Sequence, residues 1–484
     1  MKYLNPMLMC DFYKVAHKNM YPKGTEFIYS TWTPRTSRIV GIDKVVVFGI
    51  QKFIKKYLID FFNDNFFNQD IEVIKKDYIR TMKFDLGVET VDTKHIEDLH
   101  SLGYLPLEVN AIDEGISVPI RIPMMTIENT DSRFFWLTNY IETLASCELW
   151  QASTSATIAK QYRKILDEYA NETSDALDFV QFQGHDFSFR GMSSIDSAIN
   201  SGMGHLLSFV GTDTIPAIYA LEHYYNADIE KGMVGVSVPA SEHSVQCSYV
   251  DDYEYIKRLI TEIHPTGIVS IVCDGYDFWK VLTEIAPKLK KEIMARDGKV
   301  VFRPDSGDPV KIICGDTESK IYHERDGAIE VLYTEFGGTI NSKGYIDLDP
   351  HVGLIYGDSI TLDRCENICI GLKNKGFSST NLVYGIGSYT YQYNTRDTFG
   401  FALKSTSATI NGVEKAIFKD PKTDDGTKKS QKGRVSVWYD GDGEITYTDN
   451  LTKETCVPYL LNQVFYNGEL KKDLTLDEIK ENMK

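Results

Sequence analysis

Short apolar runs that stop abruptly at Gly, Asp, Ser or Arg recur through the middle of the chain. Residues 233–238 run into Pro239-Ala240-Ser241-Glu242-His243-Ser244, residues 267–272 into Cys273-Asp274-Gly275-Tyr276-Asp277, and residues 299–302 into Arg303-Pro304-Asp305-Ser306-Gly307-Asp308. Residues 352–356 lead to Gly357-Asp358-Ser359, and residues 382–384 to Gly385-Ile386-Gly387-Ser388. Near-continuous Val and Ile, without alternation, predict strands buried on both faces, as in a parallel sheet. Helical periodicity over residues 253–263 and 277–286 places helices between them, so this part of the chain is α/β. Reactive side chains collect just after the strands. A β/α barrel and an open doubly wound sheet both build their sites there, and periodicity leaves the two open.

The flanks read differently. Residues 142–169 predict a long helix, and residues 60–70 a surface helix end anchored by aromatic rings. Residues 406–414 predict a hairpin around Asn411-Gly412, residues 423–434 a polar basic loop, and residues 434–438 a strand. A chain of 484 residues exceeds one ordinary domain. The expected division is an N-terminal part, 1–150, a barrel-like domain, 151–396, and a C-terminal part, 397–484, packing with the first.

The net charge of −17 excludes broad, sequence-independent nucleic-acid binding, which needs a positive field, but not a focused anion site. The eight cysteines show no zinc spacing and read as reduced residues. No apolar stretch reaches membrane-spanning length, and Pro6 and Asp11 interrupt any signal-peptide core. A cytoplasmic protein with no membrane partner is expected.

Four constellations carry candidate chemistry. The turns Gly357-Asp358 and Gly387-Ser388, with Arg303 upstream and Arg396 downstream, suit phosphate, because glycine admits close backbone approach and arginine binds two oxygens at once. In Arg303-Pro304-Asp305 a cation and a carboxylate are held two residues apart. This fits a phosphate and sugar hydroxyls, or equally a Pro/Gly turn with a surface ion pair. His243 is a candidate base, ligand or phosphoryl acceptor; Asp274 and Asp277 can orient it, bind a metal or cap a helix. If residues 185–191 are extended, Phe187, Phe189 and Gly191 share one face and Ser188 and Arg190 the other, offering a ring for stacking and a cation, although core phenylalanines with an arginine paired at the surface are the commoner meaning of such a stretch.

These blocks stand in a wider set: Asp11-Phe12-Tyr13-Lys14, Phe48-Gly49-Ile50-Gln51, Glu128-Asn129-Thr130-Asp131, Trp136-Leu137-Thr138-Asn139, His185-Asp186-Phe187, Gly211-Thr212-Asp213-Thr214, Ser237-Val238-Pro239-Ala240, Thr395-Arg396-Asp397, Phe418-Lys419-Asp420-Pro421 and Lys432-Gly433-Arg434. Collinear over nearly the whole chain, they resemble the nicotinamide phosphoribosyltransferases, of the type II phosphoribosyltransferase family. The resemblance implies an irregular β/α barrel with a second α/β domain formed by the N- and C-terminal parts. It also implies a homodimer with shared sites.

The implied reaction moves the phosphoribosyl group of phosphoribosyl pyrophosphate to nicotinamide, in NAD salvage. The product is nicotinamide mononucleotide, with Mg²⁺ held mainly by substrate phosphates. ATP is implied as a coupled co-substrate that phosphorylates His243. By position, Phe187 and the other subunit's Tyr13 resemble the two faces of the nicotinamide slot. Arg190 stands near the ring, Asp213 resembles the acceptor of the amide, and Asp305 a ribose ligand. Arg303, Gly357, Asp358, Gly387, Ser388 and Arg396 resemble the phosphate shell; Arg35, Lys404, Lys419 and Lys428 resemble cations for pyrophosphate or ATP. His243, Asp305 and Asp277 form the implied catalytic set.

Three residues depart from the pattern. Gly353 replaces an arginine, Cys273 replaces a serine that helps hold the amide, and Ser388 replaces a glycine. A nicotinate phosphoribosyltransferase and a non-catalytic binding or signalling protein on the same scaffold are the alternatives.

Overall fold

The computed structural model describes residues 4–419, 422–423 and 430–484. It divides into two units: Met1–Thr157 with Ala220–Ala227 and Asn394–Lys484, and Ile158–Tyr219 with Asp228–Tyr393.

The second unit is built on six parallel strands: β1 (Gly184–Asp186), β2 (Gly211–Thr212), β3 (Val269–Val272), β4 (Val300–Arg303), β5 (Val352–Tyr356) and β6 (Leu382–Ile386). The sheet order is β2-β1-β6-β5-β4-β3. Between its edges runs the segment 236–241. Thr212 N–H donates to Val236 O at 2.9 Å and Val236 N–H to Val210 O at 2.7 Å. Ser241 N–H donates to Ser270 O at 3.0 Å and Ser270 N–H to Pro239 O at 2.9 Å. This irregular stave closes the sheet into a ring, so the α/β architecture is a barrel and not an open sheet.

The apolar runs ending in Arg303, Gly357 and Gly387 are strands, as their composition predicts. The run at 233–238 is not. Pro239 lacks an N–H, and a Cβ on Gly235 would come within 2.8 Å of Ile218, so the segment presses against a helix and bonds only at isolated points.

The first unit carries a seven-stranded antiparallel sheet that mixes chain ends. An inner strand, Thr25–Thr33, pairs on one side with Ala402–Ile410 and on the other with Met125–Asn129. Leu107–Ala111 and Asn462–Tyr466 extend the sheet. The hairpin at Asn411-Gly412 turns with both residues at positive φ, 49° and 76°. Besides residues 1–157 and 394–484, this unit holds one inner stretch. Residues 220–227 belong to it because Tyr225 is fully buried against Phe48, with ring centroids 5.2 Å apart.

Candidate active site

The barrel strands end on one rim, and the residues just past their C-termini share a cavity of about 660 Å³. Phe187, Arg190, Asp213, Arg303, Asp305, Gly357, Asp358, Gly387 and Ser388 all line it. Every one of these is a residue the sequence singles out. A smaller cavity of about 170 Å³ lies among the strands and is walled by Val236, Val238, Val301, Leu354 and Val383. The two share Phe187, Asp213 and Ala240.

Arg303 closes β4. Its Nη2 donates to Ser241 O at 2.9 Å, its Nε stands 3.3 Å from Asp305 Oδ1, and its guanidinium lies 5.9 Å from the Phe187 ring centre. The arginine therefore joins the phosphate side of the cavity to the aromatic side. Asp305 Oδ1 is buried and accepts no hydrogen bond among the described residues. Burial pushes the Asp305 carboxyl above its usual range, against the pull of Arg303. Gly357 is required beside it, since a Cβ there would come within 2.0 Å of Asp305 Oδ1. Residues 189–191 form a 3-10 turn and not an extended strand, and Phe189, Arg190 and Gly191 line the cavity together with Phe187. A Cβ on Gly191 would meet Ser388 Oγ at 2.0 Å, so glycine lets this turn approach the Gly387-Ser388 turn.

His243 lies at the start of a short helix, with its Nε2 2.9 Å from Asp274 Oδ1. Asp274 Oδ2 also accepts from Asp305 N–H at 2.8 Å and Ser306 Oγ at 2.6 Å. Burial pushes the Asp274 carboxyl up, but these donors and His243 outweigh it and hold it below the usual carboxylate range. Donor atoms of His243, Asp274 and Asp305 all lie within 4.8 Å of one another. Asp277 plays no part here: its carboxylate accepts from Lys280 N–H at 3.0 Å and caps the following helix. The partner of His243 is Asp274, and the assignment of Asp277 to the catalytic set is corrected.

Cys273 is likewise corrected. It is fully buried and its thiol bonds Ile271 O, away from both cavities, and burial pushes the thiol far up. Among the hydroxyl residues lining the smaller cavity is Ser270, which is 4% exposed and has no hydrogen-bond partner among the described residues. Strand alternation points Ser270 inward, a signal available in the sequence. Gly353 lines the same cavity, and a Cβ there would meet Lys299 Cδ at 3.1 Å.

The remaining expected cations belong to the first unit. Tyr13 and Arg396 line a recess of about 300 Å³ with Asp11, Glu142 and Trp150. Arg35 Nε donates to Gly400 O at 2.9 Å, and Lys404 pairs with Glu142 at 3.1 Å. Lys419 is held through its backbone N–H, which donates to Ser430 Oγ at 3.0 Å. Lys428 lies outside the described residues. All eight cysteines are free. Among the described residues no helix is long and apolar enough to cross a membrane.

Comparison with known proteins adds an independent line. The model of the nicotinate phosphoribosyltransferase (NAPRTase) family matches residues 182–469, and that of the nicotinamide phosphoribosyltransferase N-terminal domain matches residues 5–109. The chain is 51% identical to a nicotinamide phosphoribosyltransferase of Acinetobacter baylyi, over 99% of this chain and 97% of that one. It is 37% identical to one of Mycoplasma genitalium, over 89% and 95%. Among solved structures, a nicotinate-nucleotide pyrophosphorylase from Pyrococcus furiosus aligns with a TM-score of 0.58 at 16% identity, covering 99% of this chain and 95% of that one. The human nicotinic acid phosphoribosyltransferase aligns at 0.53 and 13%, covering 98% and 93%. At these identities the structural likeness concerns the fold.

Proposed function

The chain belongs to the nicotinate phosphoribosyltransferase (NAPRTase) family, and from that membership we propose how its site works. It transfers the phosphoribosyl group of phosphoribosyl pyrophosphate to nicotinamide, giving nicotinamide mononucleotide and pyrophosphate in NAD salvage. The observation that carries this reading is the junction of a polar, arginine-bearing cavity with a small apolar one at Phe187 and Asp213.

The pyridine nitrogen attacks the anomeric carbon; the new C–N bond forms as the C–O bond to pyrophosphate breaks. The ring nitrogen carries no proton, so no general base is required. Phe187 stacks on the ring. Asp213 accepts the amide N–H and repels the carboxylate of nicotinic acid. Ser270 offers the amide a hydroxyl. Arg303 and Arg190 hold phosphate oxygens, and Asp305 takes ribose hydroxyls. The protein's contribution is alignment of the two reactants and stabilisation of separated charge. Tyr13 and Arg396 complete the site from the other subunit of a homodimer in this reading.

Mg²⁺ fits the same cavity, because Asp305 Oδ1 is a buried oxygen without a hydrogen-bond partner among the described residues and Asp358 lines the wall near it. Bound there with the substrate phosphates, it supplies charge neutralisation at the leaving group. His243 takes the γ-phosphoryl of ATP. With Nε2 committed to Asp274, Nδ1 is the nucleophile; the N–P bond forms as the bond to ADP breaks. Free cysteines and small polar substrates support a cytoplasmic setting.

The test is product formation from phosphoribosyl pyrophosphate and Mg²⁺ with nicotinamide or nicotinic acid, each with and without ATP. Selective use of nicotinamide, stimulated by ATP, is expected; turnover of nicotinic acid instead overturns the role of Asp213. His243→Ala keeps the basal transfer and loses the stimulation. Loss of basal transfer as well removes the phosphoryl-acceptor role.

A further inference from the structure

The surroundings of Asp213 suggest how its carboxylate is held. Oδ1 faces two donors: His185 Nε2 at 2.9 Å and Ser237 Oγ at 2.6 Å. Oδ2 takes no hydrogen bond among the described residues. Burial pushes the Asp213 carboxyl up, but His185, Ser237 and the charge of Arg303 outweigh it and hold it below the usual carboxylate range. An ionised acceptor opposite Nε2 assigns the proton of His185 to that nitrogen.

His185 is itself fixed. It lies in β1 with its side chain 11% exposed, and its ring centre is 4.7 Å from that of Phe187. On its other edge a Cβ at Gly211 would come within 2.9 Å of Nδ1, so glycine leaves the ring its place. Ser237 comes from the irregular stave, on the opposite side of β2. Two elements thus converge on one carboxylate oxygen.

We propose that His185 and Ser237 are specificity-determining positioning residues: by saturating Oδ1 they keep Asp213 an oriented anion and leave Oδ2 for the base. The choice of a pyridine amide over the pyridine acid then belongs to His185, Asp213 and Ser237 together. The inference rests on the reading of Asp213 as the amide acceptor. A carboxylate without these donors can rotate, and once protonated it can donate to a ligand carboxylate, which erodes the discrimination.

The experiment measures kcat and KM for nicotinamide and nicotinic acid in the full-length enzyme and in five variants. In His185→Leu, KM for nicotinamide should rise by about tenfold with kcat nearly unchanged, and the nicotinamide-to-nicotinate ratio of kcat/KM should fall by about as much. His185→Gln retains an N–H near the position of Nε2 and should recover most of the ratio. Ser237→Ala, at an exposed position, should shift the ratio the same way by about threefold. Equal losses for both substrates in His185→Leu and Ser237→Ala would make the roles merely structural and overturn the proposal. Asp213→Asn and Asp213→Ala separate the two levels. If neither changes the ratio, the reading of Asp213 itself fails. If either collapses it while the His185 and Ser237 variants leave it intact, the positioning inference alone fails.

Discussion

The two cavities of the barrel unit meet at three residues yet are made of opposite materials. The smaller is walled by Val236, Val238, Val301, Leu354 and Val383, staves packed as in a protein core. The larger is rimmed by Arg190, Arg303, Asp305, Asp358 and glycine turns. One suits a flat heterocycle and the other a polyanion, and their common wall is where a bond between the two must form. The carboxylates show the same contrast. Asp305 is pushed up by burial, whereas Asp213, also pushed up by burial, is brought below the usual range by its donors. On the sugar side burial disfavours the charged form of the carboxylate, and on the base side the donors favour it.

Arg303→Ala breaks the contrast most severely, because this side chain lines the larger cavity and stands 5.9 Å from the ring centre of Phe187, which lines both. Its removal should cost about 10³-fold in kcat/KM for phosphoribosyl pyrophosphate. Steady-state kinetics check this; a loss under tenfold would mean that the phosphates sit elsewhere.

A second effect comes from pH. A raised carboxyl protonates first on acidification and a lowered one last. The acid limb of kcat/KM for phosphoribosyl pyrophosphate should therefore lie at higher pH than that for nicotinamide, each falling about tenfold per pH unit below its limb. Coincident or inverted limbs would contradict the electrostatic difference between Asp305 and Asp213.

Ser270→Ala is the mildest and sharpens the apolar side. Its buried hydroxyl has no partner among the described residues, so removal should raise KM for nicotinamide about three- to tenfold while raising thermal stability by a few tenths to about 1 kcal/mol. A drop in melting temperature would show that the hydroxyl is satisfied in the free enzyme.

Much of this was legible in the chain. The aliphatic runs before Arg303, Gly357 and Gly387 are continuous enough to mark buried parallel strands, and the residues after them line the cavity. What was illegible has physical causes. β1 and β2 are two or three residues long and polar, so no window of periodicity reports them. Residues 233–238 look like a strand because apolar content hides what Gly235 and Pro239 forbid. Residues 189–191 form a 3-10 turn beside Ser388, and a stretch this short has no periodicity that tells a turn from a strand. Asp277 and Asp274 are equally plausible partners for His243 in sequence, and only folding shows that one is spent as a helix cap. Cys273 drew notice as a departure, while inward alternation along β3 already favoured Ser270.

The irregular stave has an evolutionary consequence. A ladder ties each residue to register, so a change in one strand propagates to its neighbours. Residues 236–241 answer to four backbone bonds and still reach both cavities through Val236, Ser237, Val238, Ala240 and Ser241. This stretch can drift, lengthen or be exchanged while the ladders beside it keep their pairing. A scaffold with one loosely tied stave has a place where new base preferences can be tried at little risk to folding, and a segment to randomise first when a different heterocycle is wanted.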